Sequence, residues 1–175
     1  MALPPGAGDP PMVNVHLKMI DAGQAIQRGY IVLAPQILGL RFKKEGRLIV
    51  PALFKWMDRQ LSYDREHVAL IGQSNGGLGA FYAAIAEPKR FQSIIVCPGG
   101  YDGPSKDLAK LKGKYIWFVV GEKDEPLRQW AEKNSKILKK ANAKVKQDVL
   151  PGQGHILQFD PRQFYDWLDW VNKQK

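Results

Sequence analysis

A serine between two glycines marks the stretch of this chain best suited to chemistry. Ser74 stands in Gly72-Gln73-Ser74-Asn75-Gly76, after a short apolar run at 68–71 and before an Ala-rich apolar segment that ends at Glu87. The pattern Gly-x-Ser-x-Gly between a strand and a helix puts the serine on a sharp turn, because larger flanking side chains would collide with the strand and the helix. The hydroxyl of Ser74 could then act as a nucleophile, and the Asn75 amide at the helix start could donate to an oxyanion. An ordinary strand-to-helix turn is the alternative.

Two further residues carry groups that could assist such a serine. Asp124 follows the apolar run 115–120, and His155 follows the partly alternating run 145–150. A serine hydroxyl is a poor nucleophile at neutral pH, and a histidine that titrates near neutrality is suited to accept its proton. Two simpler interpretations stay open, since Asp124 could cap the helix that follows it and His155 could be a loop residue without a role.

Other side chains compete for these roles or are expected to be structural. The competing carboxylates are Glu122, Glu125 and Asp102. We expect His16, His67 and Cys97 to be structural, because the first falls within a predicted helix, the second at the start of a strand and the third at the end of one. A buried core thiol is the favoured interpretation of that cysteine. Gln73 could contact substrate or simply pack beside the serine.

The elements that must position these residues alternate along the chain. We predict strands at 30–34, 67–71, 93–97, 115–120 and 145–150, and helices at 12–28, 47–61, 126–142 and 160–173, in addition to the helix after Ser74. Residues 1–11, rich in proline and glycine, are expected to be irregular. This alternation predicts a mostly parallel, doubly wound α/β sheet with helices on both faces. Ligands bind such sheets at the carboxyl ends of the strands, where Ser74, Asp124 and His155 would emerge together.

Length and composition are those of one globular domain. The chain has 175 residues, of which 45% are hydrophobic and 25% charged, so we expect 1–175 to form a single domain. No apolar run approaches the roughly 20 residues of a membrane span. The N-terminal stretch lacks the basic and apolar segments of a signal peptide, which favours a cytoplasmic location for the chain as given and leaves an upstream segment open. With one cysteine, an internal disulfide and a thiolate metal cluster are excluded.

The chain is basic, with a formal net charge of +9. Such a charge could indicate a nucleic acid or an anionic surface as a partner. Six of the lysines, however, lie on or just after one predicted helix, opposite its apolar residues and without aromatic or arginine-rich interleaving. They are Lys133, Lys136, Lys139, Lys140, Lys144 and Lys146. We therefore favour a solvated lysine face and expect no nucleic-acid partner.

The order Ser74, Asp124, His155, each after a predicted strand, resembles the α/β-hydrolase family, in particular its small esterases and its carboxylesterase/phospholipase-like and dienelactone-hydrolase-like members. The resemblance covers nearly the whole chain. It implies that His155 is the general base and that Asp124 orients its imidazole. It also implies an oxyanion hole made by the amides of Asn75 and Ala7, with Gly6 and Gln73 at the substrate, and it implies no metal or cofactor.

Two departures from the family pattern lie at the N-terminus. Many relatives carry His-Gly where this chain has Pro5-Gly6, and because proline lacks an amide hydrogen the oxyanion donor must come from its neighbours. Family members also have two further strands before this loop, so we expect a minimal variant or a missing N-terminal part. An unpaired sheet edge would favour association, and a homodimer is one way to cover it.

The resemblance predicts a serine hydrolase that cleaves small carboxylic esters through an acyl-enzyme. A peptidase or a polyester depolymerase would use the same chemistry. Two alternatives come from other classes, a truncated non-catalytic binding protein of the same fold and a basic surface-binding module that uses Lys136, Lys139 and Lys140.

Overall fold

The computed structural model describes residues 2–3, 10–35 and 42–174. The helices are α1 (Pro10–Met19), α2 (Ala22–Gln27), α3 (Phe42–Gln60), α4 (Asn75–Ala86), α5 (Glu125–Lys140) and α6 (Arg162–Asn172). The strands are β1 (Ala2–Leu3), β2 (Ala69–Gly72), β3 (Ser93–Val96), β4 (Tyr115–Gly121) and β5 (Lys144–Leu150). Two short 3₁₀ helices, Pro88–Arg90 and Ser105–Leu111, flank β3 in the chain.

The five strands in the described part of the chain form one parallel sheet in the order β1-β2-β3-β4-β5. The register pairs Ile71 with Ile95 and Ile95 with Trp117, so the carboxyl ends of β2, β3 and β4 lie at the same edge of the sheet. Parallel strands need a crossover connection, which the alternating helices supply. The predicted parallel α/β sheet with helices on both faces is confirmed.

Each face of the sheet carries its own apolar core, and the helices divide between the two. On one face, Leu70, Ile94 and Phe118 pack with residues of α3, α4 and α5. On the other, Ile95 and Trp117 pack with residues of α1, α2 and α6. Strands covered on both faces have continuous apolar sequences, and the fully buried strands β3 and β4 follow this pattern.

The predicted strand at 30–34 is wrong, because that segment forms no regular structure. The described backbone at 31–34 makes no hydrogen bond to another described residue. Ile31 and Val32 line a cavity of about 500 Å³ together with Ala69 of β2. A strand requires a hydrogen-bonded neighbour, and the backbone at 31–34 has none among the described residues.

Several element boundaries also differ from the prediction. The stretch 1–11 contains β1 and the start of α1, and the predicted helix 12–28 divides at Asp21, which adopts a left-handed conformation (φ 47°) and caps α2. Helix α3 begins at Phe42 rather than near 47, and Pro51 lies inside it. The last helix begins at Arg162, whose amide donates to the Asp160 carboxylate at 3.0 Å.

The lysine face of α5 is solvent-exposed, as the sequence predicted. Lys133, Lys136, Lys139 and Lys140 are exposed, whereas Ala131 and Leu138 are fully buried on the opposite side. Over the described part of the chain, no helix has both the length and the apolar character needed to cross a bilayer.

Candidate active site

Ser74 occupies the sharp turn between β2 and α4, in a conformation (φ 52°, ψ −117°) that side-chain-bearing residues rarely adopt. Gly72 permits this turn, because a Cβ atom there would lie 2.2 Å from the carbonyl oxygen of Gly76. The Ser74 amide donates a 2.7 Å hydrogen bond to the carbonyl of Pro98, which follows β3. A strained backbone held by its neighbours is typical of a functional site.

Of the residues predicted for the oxyanion hole, the structure describes Asn75. It is the first residue of α4, and its amide belongs to the N–H groups that a helix does not use internally. The positive end of the helix dipole lies at the same place, which favours negative charge there. Gly6 and Ala7 lie outside the described residues, so their predicted roles stay predictions.

The structure brings His155 into contact with both Ser74 and Asp124. The distance from His155 Nε2 to Ser74 Oγ is 3.1 Å, and that from His155 Nδ1 to Asp124 Oδ2 is 2.7 Å. Asp124 precedes α5 at the capping position but makes no side-chain cap bond, and its side chain is only 10% exposed. Its carboxylate is therefore directed to the imidazole rather than to the helix.

Backbone hydrogen bonds join the loops that carry Asp124 and His155. The amide of Glu122 donates to the carbonyl of Leu150 at 3.0 Å, and the amide of Lys123 donates to that of Gln153 at 2.8 Å. The Glu122 carboxylate in turn accepts from the Gly152 amide at 2.7 Å. The loop after β4 and the loop after β5 are thus tied together beside the Asp124–His155 pair.

The competing carboxylates have other partners. Glu122 bonds the Gly152 amide, Glu125 accepts from Gln129 on the next turn of α5, and Asp102 accepts from the Tyr82 hydroxyl. The remaining histidine of the β2 region, His67, pairs with Asp64 at 2.6 Å. Of the four candidate carboxylates, Asp124 is therefore the one that contacts and orients His155.

Cys97 and His16 are buried, as expected of structural residues. Burial raises the pKa of the Cys97 thiol to about 12, which disfavours the thiolate needed for nucleophilic chemistry. His16 on α1 is fully buried, and burial lowers its pKa to about 4, against a smaller raising influence of the nearby Gln73 side chain. Neither ring nitrogen is in hydrogen-bonding geometry with another described residue. The substrate contact predicted for Gln73 stays a prediction.

The buried imidazole of His16 predicts a loss of stability in mild acid. Its pKa is lower in the folded chain than in the unfolded one, so the unfolded chain binds the extra proton between pH 6.5 and 4. The unfolding free energy should fall over that window by up to about 3 kcal/mol. Urea unfolding of His16→Leu at several pH values should show a shallower fall than the unmodified chain, and parallel curves would contradict the prediction.

The arrangement provides the parts of nucleophilic catalysis. A hydroxyl on a strained turn contacts an imidazole, and the imidazole contacts a nearly buried carboxylate. Within the described residues, no group of three or more His, Cys, Asp or Glu side chains is placed to hold a metal ion.

Sequence reasoning missed Gly121, which closes β4 and lies against the loop that carries His155. A Cβ atom there would lie 2.2 Å from the carbonyl oxygen of Gly154 and 2.5 Å from that of Gln153. A glycine at a strand end is a weak signal by itself, since many strands end in one. Its importance depends on a segment about 30 residues away.

Residues 46–173 match the model of a protein family described as "Putative esterase". The match spans more than half of the chain. No curated protein is similar enough in sequence to match.

Several solved structures share the fold. They include a thermostable esterase (TM-score 0.72, 19% identity), a Bacillus cereus carboxylesterase (0.74, 18%) and a phospholipase/carboxylesterase from Dyadobacter fermentans DSM 18053 (0.68, 18%). These alignments cover 99%, 97% and 98% of this chain and 51%, 87% and 88% of the other chains, respectively. The chain therefore spans about half the length of the first of them. The predicted α/β-hydrolase fold is confirmed.

Proposed function

Because the chain belongs to the esterase family, we propose that it is a serine hydrolase that cleaves carboxylic esters through an acyl-enzyme. One observation carries this proposal, the continuous contact from Ser74 through His155 to Asp124. The similar folds named carboxylesterase and phospholipase/carboxylesterase support an ester as the substrate.

The geometry suits proton transfer from the serine. A carboxylate accepts hydrogen bonds, so Asp124 fixes the proton of His155 on Nδ1 and leaves Nε2 free to accept. In the first step, Ser74 Oγ attacks the ester carbonyl while its proton moves to Nε2, and the Asp124 carboxylate stabilises the imidazolium that forms. The imidazolium then protonates the leaving alcohol, and an acyl group remains on the serine.

The second step reverses these roles with water as the nucleophile. His155 takes a proton from water, the hydroxide attacks the acyl-serine, and the proton returns to Ser74 as the acid leaves. In both steps negative charge develops on the former carbonyl oxygen. We propose that the Asn75 amide donates to this oxygen and that Ala7 supplies the second donor.

For this chain we prefer ester hydrolysis over peptide hydrolysis, because the matching family and several similar folds are named as esterases, and over a purely binding function. A polyester depolymerase would be one kind of ester hydrolase. A non-catalytic protein would have no need of a serine held at positive φ in contact with a carboxylate-oriented histidine. We further propose that residues 1–175 act as one unit on a small ester, either as a monomer or as a homodimer.

Hydrolysis of p-nitrophenyl acetate, butyrate and octanoate tests the proposal. We expect turnover without added metal or cofactor, with a burst of p-nitrophenol that matches the enzyme concentration wherever deacylation is the slower step. A fluorophosphonate should label the chain once, and tryptic mass spectrometry should find the label on Ser74.

Two outcomes would count against the proposal. A folded, monodisperse sample that neither turns over these esters nor reacts with the fluorophosphonate would favour the non-catalytic alternative. A label on a residue other than Ser74 would contradict the assigned nucleophile.

A further inference from the structure

The loop that carries His155 has few hydrogen bonds of its own. Between Gly154 and Leu157, no backbone group bonds to another described residue. The loop is also exposed, since the His155 side chain is 51% exposed and the next residue, Ile156, is 82% exposed. Something other than regular structure must therefore hold the imidazole between Ser74 and Asp124.

The side chain of Gln153 supplies this support by bridging the loop. Its amide nitrogen donates to the carbonyl of Gln158 at 3.0 Å, and its amide oxygen accepts from the backbone N–H of the same residue at 2.7 Å. One side chain thus closes the segment 153–158 in the way that a pair of strand hydrogen bonds would. His155 lies inside the closed segment.

The backbone of Gln153 connects the same loop to the carboxylate side of the site. Its carbonyl accepts the amide of Lys123, the residue before Asp124, at 2.8 Å. Gln153 is therefore bonded on one side to the segment that carries the carboxylate and on the other to the residue that ends the histidine loop.

We propose that Gln153 is a positioning residue for His155, an inference that rests on the proposed hydrolase function. Without its two side-chain bonds the loop could shift the imidazole away from Ser74 Oγ. A misplacement of about 1 Å in a reacting group can lower a rate by roughly 10²-fold. The role requires a donor and an acceptor on one side chain of this length, which glutamine provides.

The test compares Gln153→Ala with Gln158→Ala as its matched control. The second substitution removes a neighbouring side chain of the same type but leaves the backbone groups that Gln153 binds. We expect Gln153→Ala to lower kcat by about 10- to 100-fold with KM changed by less than about 3-fold, as for other groups that orient a reactive side chain. Gln158→Ala should retain the activity of the unmodified chain.

Two further variants separate positioning from a general effect on folding. Gln153→Glu keeps an acceptor but loses the donor, so its kcat should lie between those of the unmodified chain and Gln153→Ala. In a His155→Ala background, Gln153→Ala should cause no further fall in the residual rate of fluorophosphonate labelling, because the group that it positions is gone.

A readout that does not depend on turnover keeps this inference separate from the proposed function. The Nδ1 proton shared by His155 and Asp124 should give a low-field NMR signal that is lost in His155→Ala. We expect the signal to persist in Gln158→Ala and to broaden or exchange faster in Gln153→Ala. An unchanged signal together with an unchanged kcat in Gln153→Ala would overturn the positioning role. If the chain lacked esterase activity but still gave the low-field signal, and Gln153→Ala broadened that signal, the positioning role would be supported and the hydrolase function would be contradicted.

Discussion

Ser74→Ala and His155→Ala should each lower ester hydrolysis by at least about 10⁴-fold while the fold is retained. The first removes the atom that forms the acyl bond, and the second removes the base that accepts its proton at 3.1 Å. When residues act as one unit, the loss of either member costs nearly as much as the loss of both, so the double variant should be little worse than the single ones. Rates with p-nitrophenyl butyrate, measured on samples with matched circular dichroism and Tm, check this expectation.

Asp124→Asn belongs to the same experiment and tests the orientation of the imidazole. An asparagine amide can donate to Nδ1, and the proton would then move to Nε2, where it would block acceptance from the serine. A fall of about 10⁴-fold in kcat is expected from this change of tautomer. Glu125→Gln is the matched control, because Glu125 is the adjacent carboxylate and bonds only the side chain of Gln129 among the described residues.

A different pattern of losses would assign the chemistry elsewhere. Full activity of Ser74→Ala would exclude the acyl-enzyme at this serine. If Glu125→Gln lost as much activity as Asp124→Asn, the effect would reflect local negative charge rather than the 2.7 Å contact with His155.

The sequence predicted those elements of the fold whose own residues specify them. Strand β4 is apolar at nearly every position because both of its faces are covered, and the predicted 115–120 differs from the observed strand by one residue. Helix α6 repeats its apolar side chains at helical spacing, so its buried face could be predicted as well. In both cases the pattern of apolar residues along the sequence shows which faces of the element are covered.

The segment 30–34 shows why such reasoning fails elsewhere. Its five apolar residues satisfy the local pattern of a strand, but a strand also depends on a neighbour that the pattern does not contain. In the structure the backbone at 31–34 has no hydrogen-bonded neighbour among the described residues. Full burial is not reached either, since Ile31 is 50% exposed and the other four residues are only half-buried. The apolar composition of this segment therefore predicted neither its pairing nor its burial.

The candidate site, too, could be predicted only in part. That Ser74, Asp124 and His155 meet could be predicted, because parallel strands bring their carboxyl ends to one edge. The contacts that hold them there could not, since a glutamine in a turn and a glycine at a strand end are ordinary residues in sequence. Gln153 and Gly121 gain their importance from the close approach of two loops that are far apart in the chain.

Gly121 permits the closest of these approaches. The carbonyl oxygens of Gln153 and Gly154 lie so near its Cα atom that a methyl group there would be 2.5 Å and 2.2 Å away, respectively. Both obstacles are backbone atoms, which cannot rotate aside as a side chain could. To remove this clash, the end of β4 and the His155 loop would have to separate by about 1 Å, since ordinary contacts begin above roughly 3 Å.

Gly121→Ala should therefore damage both the site and the fold. We expect a loss of about 2 kcal/mol in unfolding free energy from the forced shift and a fall of at least about 10²-fold in kcat, because the loop that moves carries His155. Gly154→Ala is the control, because a Cβ atom at Gly154 meets nothing within 4 Å. Urea unfolding and p-nitrophenyl butyrate kinetics on the two variants measure both effects. If Gly154→Ala lost as much activity as Gly121→Ala, the loop would be sensitive to any substitution, and the close approach at Gly121 would not be what positions the histidine.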